Sequence, residues 1–196
     1  MKSNSFWGFA FNPFTRIAGW QAFLLGLVFV AASGTFGTMS RVAFDGVLDV
    51  HTGGNLTYGL SFMMLAIDIV SVVIIMWLTG VIISRTVRFV DILGTMTLAR
   101  APLLIAALVG LTLPLPPVEV IMLDPSAVFK SWPMIVFGVV AGVTVIWHVA
   151  LMYNAMRVSC GVRGAKLTVA FIFALIVAEA LSKVAITIAI KHLFAI

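Results

Sequence analysis

One apolar stretch with an arginine near its centre limits what this chain can fold into. It runs from Phe89 to Leu113 and reads FVDILGTMTLARAPLLIAALVGLTL, with Arg100 close to its middle. A helix over this stretch must end before the cluster Pro114, Pro116 and Pro117, which a helix interior does not tolerate. The uncharged part after Arg100 is too short to cross a bilayer, which takes about 20 residues. Arg100 is therefore predicted to lie inside the membrane, about 12 Å from the near surface.

The composition is typical of a polytopic membrane protein. Of the 196 residues, 62% are hydrophobic and 10% are charged, whereas a soluble domain carries about 25% charged residues. A net charge of +5 would suggest nucleic acid as the partner of a soluble protein. Here the basic residues cluster at predicted helix ends, where they determine orientation. We therefore expect the lipid bilayer, and no nucleic acid, as a partner.

Five long apolar segments predict an all-α fold, with the whole chain, 1–196, as a single transmembrane domain. Residues 1–19 are rich in aromatic side chains and are interrupted by Asn12-Pro13, which predicts a segment lying in the interface. The connections are expected to be loops, including a polar one over 41–59 and a proline-rich one over 114–133. The predicted transmembrane helices are about 20–39, 60–83, 92–113, 134–156 and 167–190.

The distribution of lysine and arginine predicts the orientation. Eight of these residues fall at one end of the predicted bundle and three at the other, while Lys183 is left out because it lies within a span. Basic residues are retained on the cytoplasmic side, so we expect a cytoplasmic N-terminus and a C-terminus outside. The eight are Lys2, Arg16, Arg85, Arg88, Arg100, Arg157, Arg163 and Lys166; the three are Arg41, Lys130 and Lys191.

Polar side chains within the predicted spans are the candidate functional residues. Counting from the helix ends places Asp68, Glu179 and Lys183 in one layer, roughly 10 to 16 Å below the outer surface. Glu179 and Lys183 also lie four residues apart on one helix face, in the order that favours an ion pair. Arg100 and His148 are expected in the cytoplasmic half, at a depth similar to each other.

Two interpretations of this polar network remain open. In one, Asp68 and Glu179 bind protons or cations, Lys183 is their counter-charge, and Arg100 and His148 form an inner gate. In the other, the network only fixes the packing of the helices. The second is favoured, because a pair of Glu179 with Lys183 would neutralise itself.

Small residues at helical spacing predict close packing between helices. Gly138 and Gly142 form a GxxxG pattern, and Ala106 and Gly110 form a second pair with the same spacing. Such pairs let helix backbones approach closely in membranes. We expect both pairs to pack inside the bundle rather than to form a dimer face.

The sequence contains no catalytic or metal-binding motif. It has no HExxH, CxxC, GxSxG or phosphate-binding glycine loop. Cys160 is the only cysteine, which excludes an intramolecular disulfide and a cysteine metal cluster. We therefore expect no enzymatic activity, no cofactor and no metal.

Three stretches together resemble the bacterial branch of the Yip1 family. They are Asn12–Arg16, Val90–Leu104 and Ile146–Phe171. The resemblance implies five spans and a cytosolic N-terminus. It also implies a glycine and a later proline in the third helix, which Gly94 and Pro102 match, while Thr95 stands where an aromatic residue is often found.

The function implied by this resemblance is organisational. Eukaryotic members act in ER–Golgi trafficking and associate with Rab GTPases through a longer cytosolic N-terminal region, so GTPase binding is not expected here. The resulting hypothesis is a non-catalytic scaffold or membrane-organising protein in a bacterial inner membrane, with protein partners or a homo-oligomer. The alternative is a small transporter or channel that uses the Asp68, Glu179 and Lys183 layer.

Overall fold

The computed structural model of the chain describes residues 6–84, 86–116 and 118–193. These residues are mainly helical, with a 3₁₀ turn at Pro13–Thr15 and two short strands, β1 (Val42–Ala43) and β2 (His51–Thr52). The helices are α1 (Phe6–Phe11), α2 (Gly19–Ser40), α3 (Tyr58–Ile83), α4 (Phe89–Ala99), α5 (Leu103–Thr112), α6 (Val118–Leu123), α7 (Ala127–Lys130), α8 (Trp132–Cys160) and α9 (Ala165–Leu193).

Five segments are long and apolar enough to cross a membrane, which confirms the predicted fold class. Their ends agree with the predicted ends to within a few residues. The loop predicted over 114–133 differs, since α6 and α7 lie within it. The five spans are Gly19–Ser40, Tyr58–Ile83, Phe89–Thr112, Trp132–Cys160 and Ala165–His192.

The third span, made of α4 and α5, is the central one. Its most apolar window is 67% buried, whereas the other four spans are between 28% and 39% buried. Helix α2 packs along α4 at two glycines. A Cβ atom on Gly94 would lie 2.1 Å from the carbonyl oxygen of Gly19, and one on Gly26 would lie 2.6 Å from the backbone nitrogen of Leu98. Only a residue without a side chain permits this backbone contact.

The third span is broken, which corrects the prediction of one continuous helix. A turn at Arg100–Pro102 separates α4 from α5. Proline has no N–H and its ring clashes with the carbonyl four residues earlier, so hydrogen bonding changes register here. The Leu103 N–H donates to the Arg100 carbonyl at 3.0 Å, not to that of Ala99 as in a continuous helix. The Ala99 carbonyl therefore needs another donor.

The segment 41–57, called the inserted loop below, folds into the bundle, although a polar surface loop was expected. Phe44 and Val47 are buried within it, at 3% and 0% exposure. At its tip, the Leu48 N–H donates to Oε2 of Glu179 at 2.9 Å, and Glu179 lies midway along α9. Non-helical backbone is tolerated at such a depth only where protein or a hydrated cavity surrounds it.

The N-terminal segment is attached to α8 by two hydrogen bonds from side chains to backbone. Nε1 of Trp147 donates to the Ala10 carbonyl at 3.0 Å. Nδ2 of Asn154 donates to the Phe11 carbonyl at 2.9 Å. Residues 1–5 of the predicted interfacial segment lie outside the described residues. The described part of this segment is thus fixed against the bundle.

Candidate functional site

A buried ion pair joins the break in the third span to α3. Nη2 of Arg100 donates to Oδ2 of Asp68 at 3.2 Å, and the two side chains are 2% and 0% exposed. Ser182 of α9 is also fully buried and interacts with the Asp68 carboxyl group. Within the described residues, Oδ1 of Asp68 and both Nε and Nη1 of Arg100 have no hydrogen-bond partner. The pair is therefore enclosed but not fully satisfied.

His148 of α8 supplies the donor that the broken helix requires. Its Nδ1 lies 2.7 Å from the carbonyl oxygen of Ala99, so Nδ1 carries a proton and donates to that oxygen. The imidazole is 1% exposed. The backbone of Val47, in the inserted loop, is a second neighbour of the ring, while Nε2 makes no hydrogen bond among the described residues. His148 thus connects the helix break with the inserted loop.

Lys183 is neutralised by the inserted loop rather than by its own helix. Its Nζ donates to Oδ1 of Asp45 at 3.1 Å and also to Oδ2 of Asp49. These three side chains are between 27% and 38% exposed, so they lie in an accessible part of the molecule, unlike Asp68 and Arg100. Two carboxylates around one ammonium group hold the loop against α9.

His51 completes this cluster with a second cationic group. Its Nε2 lies 3.0 Å from Oδ1 of Asp45 and its Nδ1 lies 3.0 Å from the Thr52 carbonyl oxygen. Because both ring nitrogens face acceptors, the protonated ring is favoured, and the hydrogen bond to Asp45 raises the pKa of His51 to about 9. The same hydrogen bond, opposed by burial, lowers the pKa of Asp45 to about 2. His51 and Asp45 are therefore both charged at neutral pH.

One group of described residues has an arrangement that could hold a metal ion: Asp45, Asp49 and His51. Their ligand atoms lie within 4.8 Å of one another. A metal would require neutral His51, however, and would compete with the ammonium group of Lys183 for both carboxylates. The local chemistry therefore favours the internal cations, and this cluster gives no support to a metal centre.

The predicted layer of Asp68, Glu179 and Lys183 forms only in part: Asp68 and Glu179 lie close enough for their charges to interact, but the predicted pairing of Glu179 with Lys183 is replaced by other contacts. Lys183 pairs with Asp45 and Asp49, Glu179 accepts a backbone N–H, and Asp68 pairs with Arg100, which was predicted in a different layer. Arg100 and Asp68 were each estimated to lie about 12 Å from opposite surfaces of a hydrocarbon core about 30 Å thick, so the two estimates differ by only about 6 Å along the membrane normal. A long arginine side chain bridges that difference. His148 contacts Ala99, the residue before Arg100.

The predicted packing residues divide into two groups. A Cβ atom on Gly138 or Gly142 would meet no atom within 4 Å, so the GxxxG pattern of α8 is not an internal packing site, contrary to expectation. Ala106 is fully buried, and a Cβ atom on Gly110 would lie 2.6 Å from Val42. The second pair therefore lies where the inserted loop contacts α5.

The sequence reasoning missed Asp45, Asp49 and His51 because it assigned them to a solvated loop. One signal was available, since the apolar residues Val42, Phe44 and Val47 lie between the polar ones. Such apolar residues in a loop indicate that part of it is buried. Gly46 adds to this signal: a Cβ atom there would lie 2.5 Å from Oε1 of Glu179.

No protein-family model, curated protein or solved structure matches this chain. The resemblance to the Yip1 family therefore rests on its three sequence stretches. The function has to be argued from the geometry of the helix break, the inserted loop and the charged residues between them.

Proposed function

We propose that this protein is a non-catalytic membrane scaffold that organises other membrane proteins or the bilayer around it. The pairing of the charged side chains inside the bundle supports the proposal. Among the described residues, the charged side chains more than two helical turns from a span end all have a partner within the chain. They are Asp68, Arg100, Glu179 and Lys183. Charged side chains whose partners lie within the chain in this way stabilise a fold rather than bind a substrate.

The enclosure of the central pair supports the same proposal. Asp68, Arg100 and His148 are at most 2% exposed, whereas an ion pathway would have to hydrate such groups. The Yip1 resemblance adds an orientation, with the N-terminus in the cytoplasm, and a location in a bacterial inner membrane. The large exposed apolar surface of the spans, including Val139 and Ile146 of α8, is available to lipid or to partner helices.

A second function, transport, is favoured by one specific observation. The break at Arg100–Pro102 and the tip of the inserted loop meet at His148, in the interior of the bundle. Broken helices and inserted segments that meet near charged residues are features of transporters. The unpartnered atoms of Asp68 and Arg100 are the groups that an ion or water would contact first.

One set of proteins tests both functions. The parent protein, Asp68→Asn, Arg100→Leu and the double variant are reconstituted in liposomes, and ion and proton flux is measured alongside thermal unfolding. In native membranes, a photo-crosslinking residue at Val143, which is 59% exposed, captures neighbouring proteins. A scaffold shows no flux above protein-free liposomes and gives the same crosslinked partners in the parent and the folded double variant.

Two results would contradict the scaffold proposal. Flux in the parent that disappears in the folded double variant would establish transport instead. Failure to capture any protein from native membranes, at Val143 or at an equivalent exposed position such as Phe173 of α9, would remove the basis for a scaffold of proteins. Phe173 is 69% exposed and samples a different face of the bundle.

A further inference from the structure

A lateral groove in the bundle has none of the charged residues described above among its lining residues. It has a volume of about 440 Å³, is lined by apolar side chains, and lies between α1, α2, α5 and α8. Ala101 and Pro102 of the helix break are among its lining residues. Phe29, Ile105 and Leu108 at its edges are 36% to 40% exposed. The groove therefore opens sideways, towards the hydrocarbon of the bilayer.

One end of this groove lies at the membrane surface. Pro13 and Ile17 line it there, and they flank Arg16 in the sequence. Gly19 begins the first span, so the exposed Arg16, three residues earlier, lies at the level of the lipid headgroups. The apolar groove matches the acyl chain of a lipid, and the cationic side chain at its end matches an anionic headgroup.

The charge of this end of the bundle selects the kind of lipid. Its described segments, 6–18, 84, 86–91 and 157–166, carry five basic residues and one acidic residue, Asp91, which pairs with Arg88. Basic residues at a membrane surface attract anionic headgroups. The five basic residues are Arg16, Arg88, Arg157, Arg163 and Lys166.

We propose that the groove holds an acyl chain of an anionic phospholipid, with the headgroup phosphate at Arg16. The chain lies against the apolar wall down to Leu108, while the phosphate stays at the surface with the guanidinium group. Because Trp147 and Asn154 fix α1 to α8, the wall formed by α1 is held in place. This proposal is independent of the scaffold proposal, since a transporter could bind the same lipid.

Native mass spectrometry of the full chain in detergent tests the proposal, with phosphatidylglycerol and phosphatidylcholine as probes. The parent is expected to bind one phosphatidylglycerol molecule more tightly than phosphatidylcholine. Arg16→Gln should reduce the affinity for phosphatidylglycerol about fivefold, which corresponds to one basic residue at a membrane surface. It should reduce the affinity for phosphatidylcholine less, because the choline ammonium group offsets the charge of that lipid's phosphate. Ile105→Trp, which narrows the groove, should weaken the binding of both lipids.

Matched variants separate the groove from the rest of the surface. Arg163→Gln removes a charge from the same end, and Val139→Trp adds an indole to α8 outside the groove. Arg163→Gln should weaken lipid binding less than Arg16→Gln does, and Val139→Trp should weaken it less than Ile105→Trp does. Equal loss in Arg16→Gln and Arg163→Gln, or equal effects of the two tryptophans, would overturn the assigned site. If Ile105→Trp unfolds, Ala101→Leu replaces it. A dimer that Ile105→Trp dissociates, without any change in lipid binding, would assign the groove to a second copy.

Discussion

Arg100 reaches Asp68 from the turn that interrupts the third span, and the 3.2 Å contact between Nη2 and Oδ2 is buried on all sides. The ion pair therefore joins the most enclosed span to α3 at the point where the helical hydrogen bonding is interrupted. Removing one member of such a pair leaves an uncompensated buried charge, which typically costs about 3–5 kcal/mol.

The first prediction concerns the order of stability among variants of this pair. Arg100→Leu leaves Asp68, which can take up a proton, whereas Asp68→Asn leaves a guanidinium that cannot lose one. We therefore expect Asp68→Asn to be the less stable of the two. Arg100→Asp, which places two carboxyl groups together, should also be less stable than Arg100→Leu. The measurement is the free energy of unfolding in mixed micelles.

The double variant Asp68→Asn with Arg100→Leu should cost less than the sum of the two single variants, by about 1 kcal/mol or more. Lys183→Met combined with Asp68→Asn is the control, because Lys183 pairs with Asp45 and Asp49 instead, and its effects should add. If the unfolding free energies of Asp68→Asn and Arg100→Leu simply add, or if those of Asp68→Asn and Lys183→Met do not, the charges pair differently.

The helix positions could be predicted because hydropathy and length are local properties of the sequence. The pairing of Asp68 with Arg100 could not, since counting residues along a helix treats each side chain as a point at its Cα atom. The break was indicated by Pro102, whose effect on a helix is general. Which side chain would satisfy the released Ala99 carbonyl depends on α8, which is distant in sequence.

The candidate site was only partly predictable for a similar reason. Asp68, Arg100, Glu179, Lys183 and His148 were identified because charged and polar residues are costly in apolar spans. Their partners in the inserted loop could not be found by that criterion, since loop residues carry no such cost. The GxxxG of α8 was predicted to be a packing site and is not one. Its spacing permits close packing, but no atom of another element in the described chain lies within 4 Å of a Cβ placed at either glycine.

The second prediction concerns the hydrogen bond from His148 to the Ala99 carbonyl. His148→Phe should destabilise the protein by about 1–3 kcal/mol, because it leaves a buried carbonyl without a donor. Pro102→Ala removes the ring that prevents a continuous helix, so Leu103 could then donate to Ala99. The cost of His148→Phe should therefore be smaller in a Pro102→Ala background. An unchanged cost, measured by denaturant unfolding, would mean that His148 stabilises the bundle by other contacts.

The third prediction concerns pH and the inserted loop. His51 has a pKa of about 9 in the folded protein, above its ordinary value of 6.5, so the folded state binds more protons between these values. Its stabilising contribution is complete below pH 6.5 and is lost as the pH rises through about 9. Asp45, with a pKa of about 2 against 3.8, acts oppositely: its contribution is present above pH 3.8 and is lost as the pH falls through about 2.

Thermal unfolding between pH 6 and pH 10 checks this dependence on the alkaline side. His51→Gln should remove the decline between about pH 6.5 and 9 while other titrations remain. The effect will be modest, because the His51 side chain is 44% exposed and solvent screens its pairing. The same alkaline decline in the parent and in His51→Gln would show that another group is responsible.

The fourth prediction compares glycines in two environments. Gly94→Ala places a methyl group 2.1 Å from the Gly19 carbonyl oxygen, so α2 and α4 must separate, at a cost of about 1–3 kcal/mol or more. Gly142→Ala meets no atom within 4 Å and should be neutral or stabilising by up to about 1 kcal/mol, since alanine favours a helix. Thermal unfolding of both variants in one detergent gives the comparison. Equal destabilisation would show that α8 packs against another chain at Gly142.

The fifth prediction concerns topology. Five spans place Asn55 and Ser126 at one end of the bundle and Thr86 and Val162 at the other. Because the second end carries most of the basic residues, it should face the cytoplasm. Single cysteines at these positions, in a Cys160→Ala background, should label from outside only at Asn55 and Ser126. A membrane-impermeant maleimide on intact cells, followed by labelling after lysis, makes the measurement.

The choice of probes follows from burial within the inserted loop. Thr52 would be a poor reporter of the outside, because it is only 9% exposed, whereas Asn55 is exposed. A cysteine at Thr52 should therefore label slowly from outside, and faster once Lys183→Met releases the loop from α9. Labelling of Thr86 from outside would reverse the proposed orientation. Labelling of Asn55 and Thr86 from the same side would contradict the five-span fold, because an odd number of spans, α3 alone, separates them.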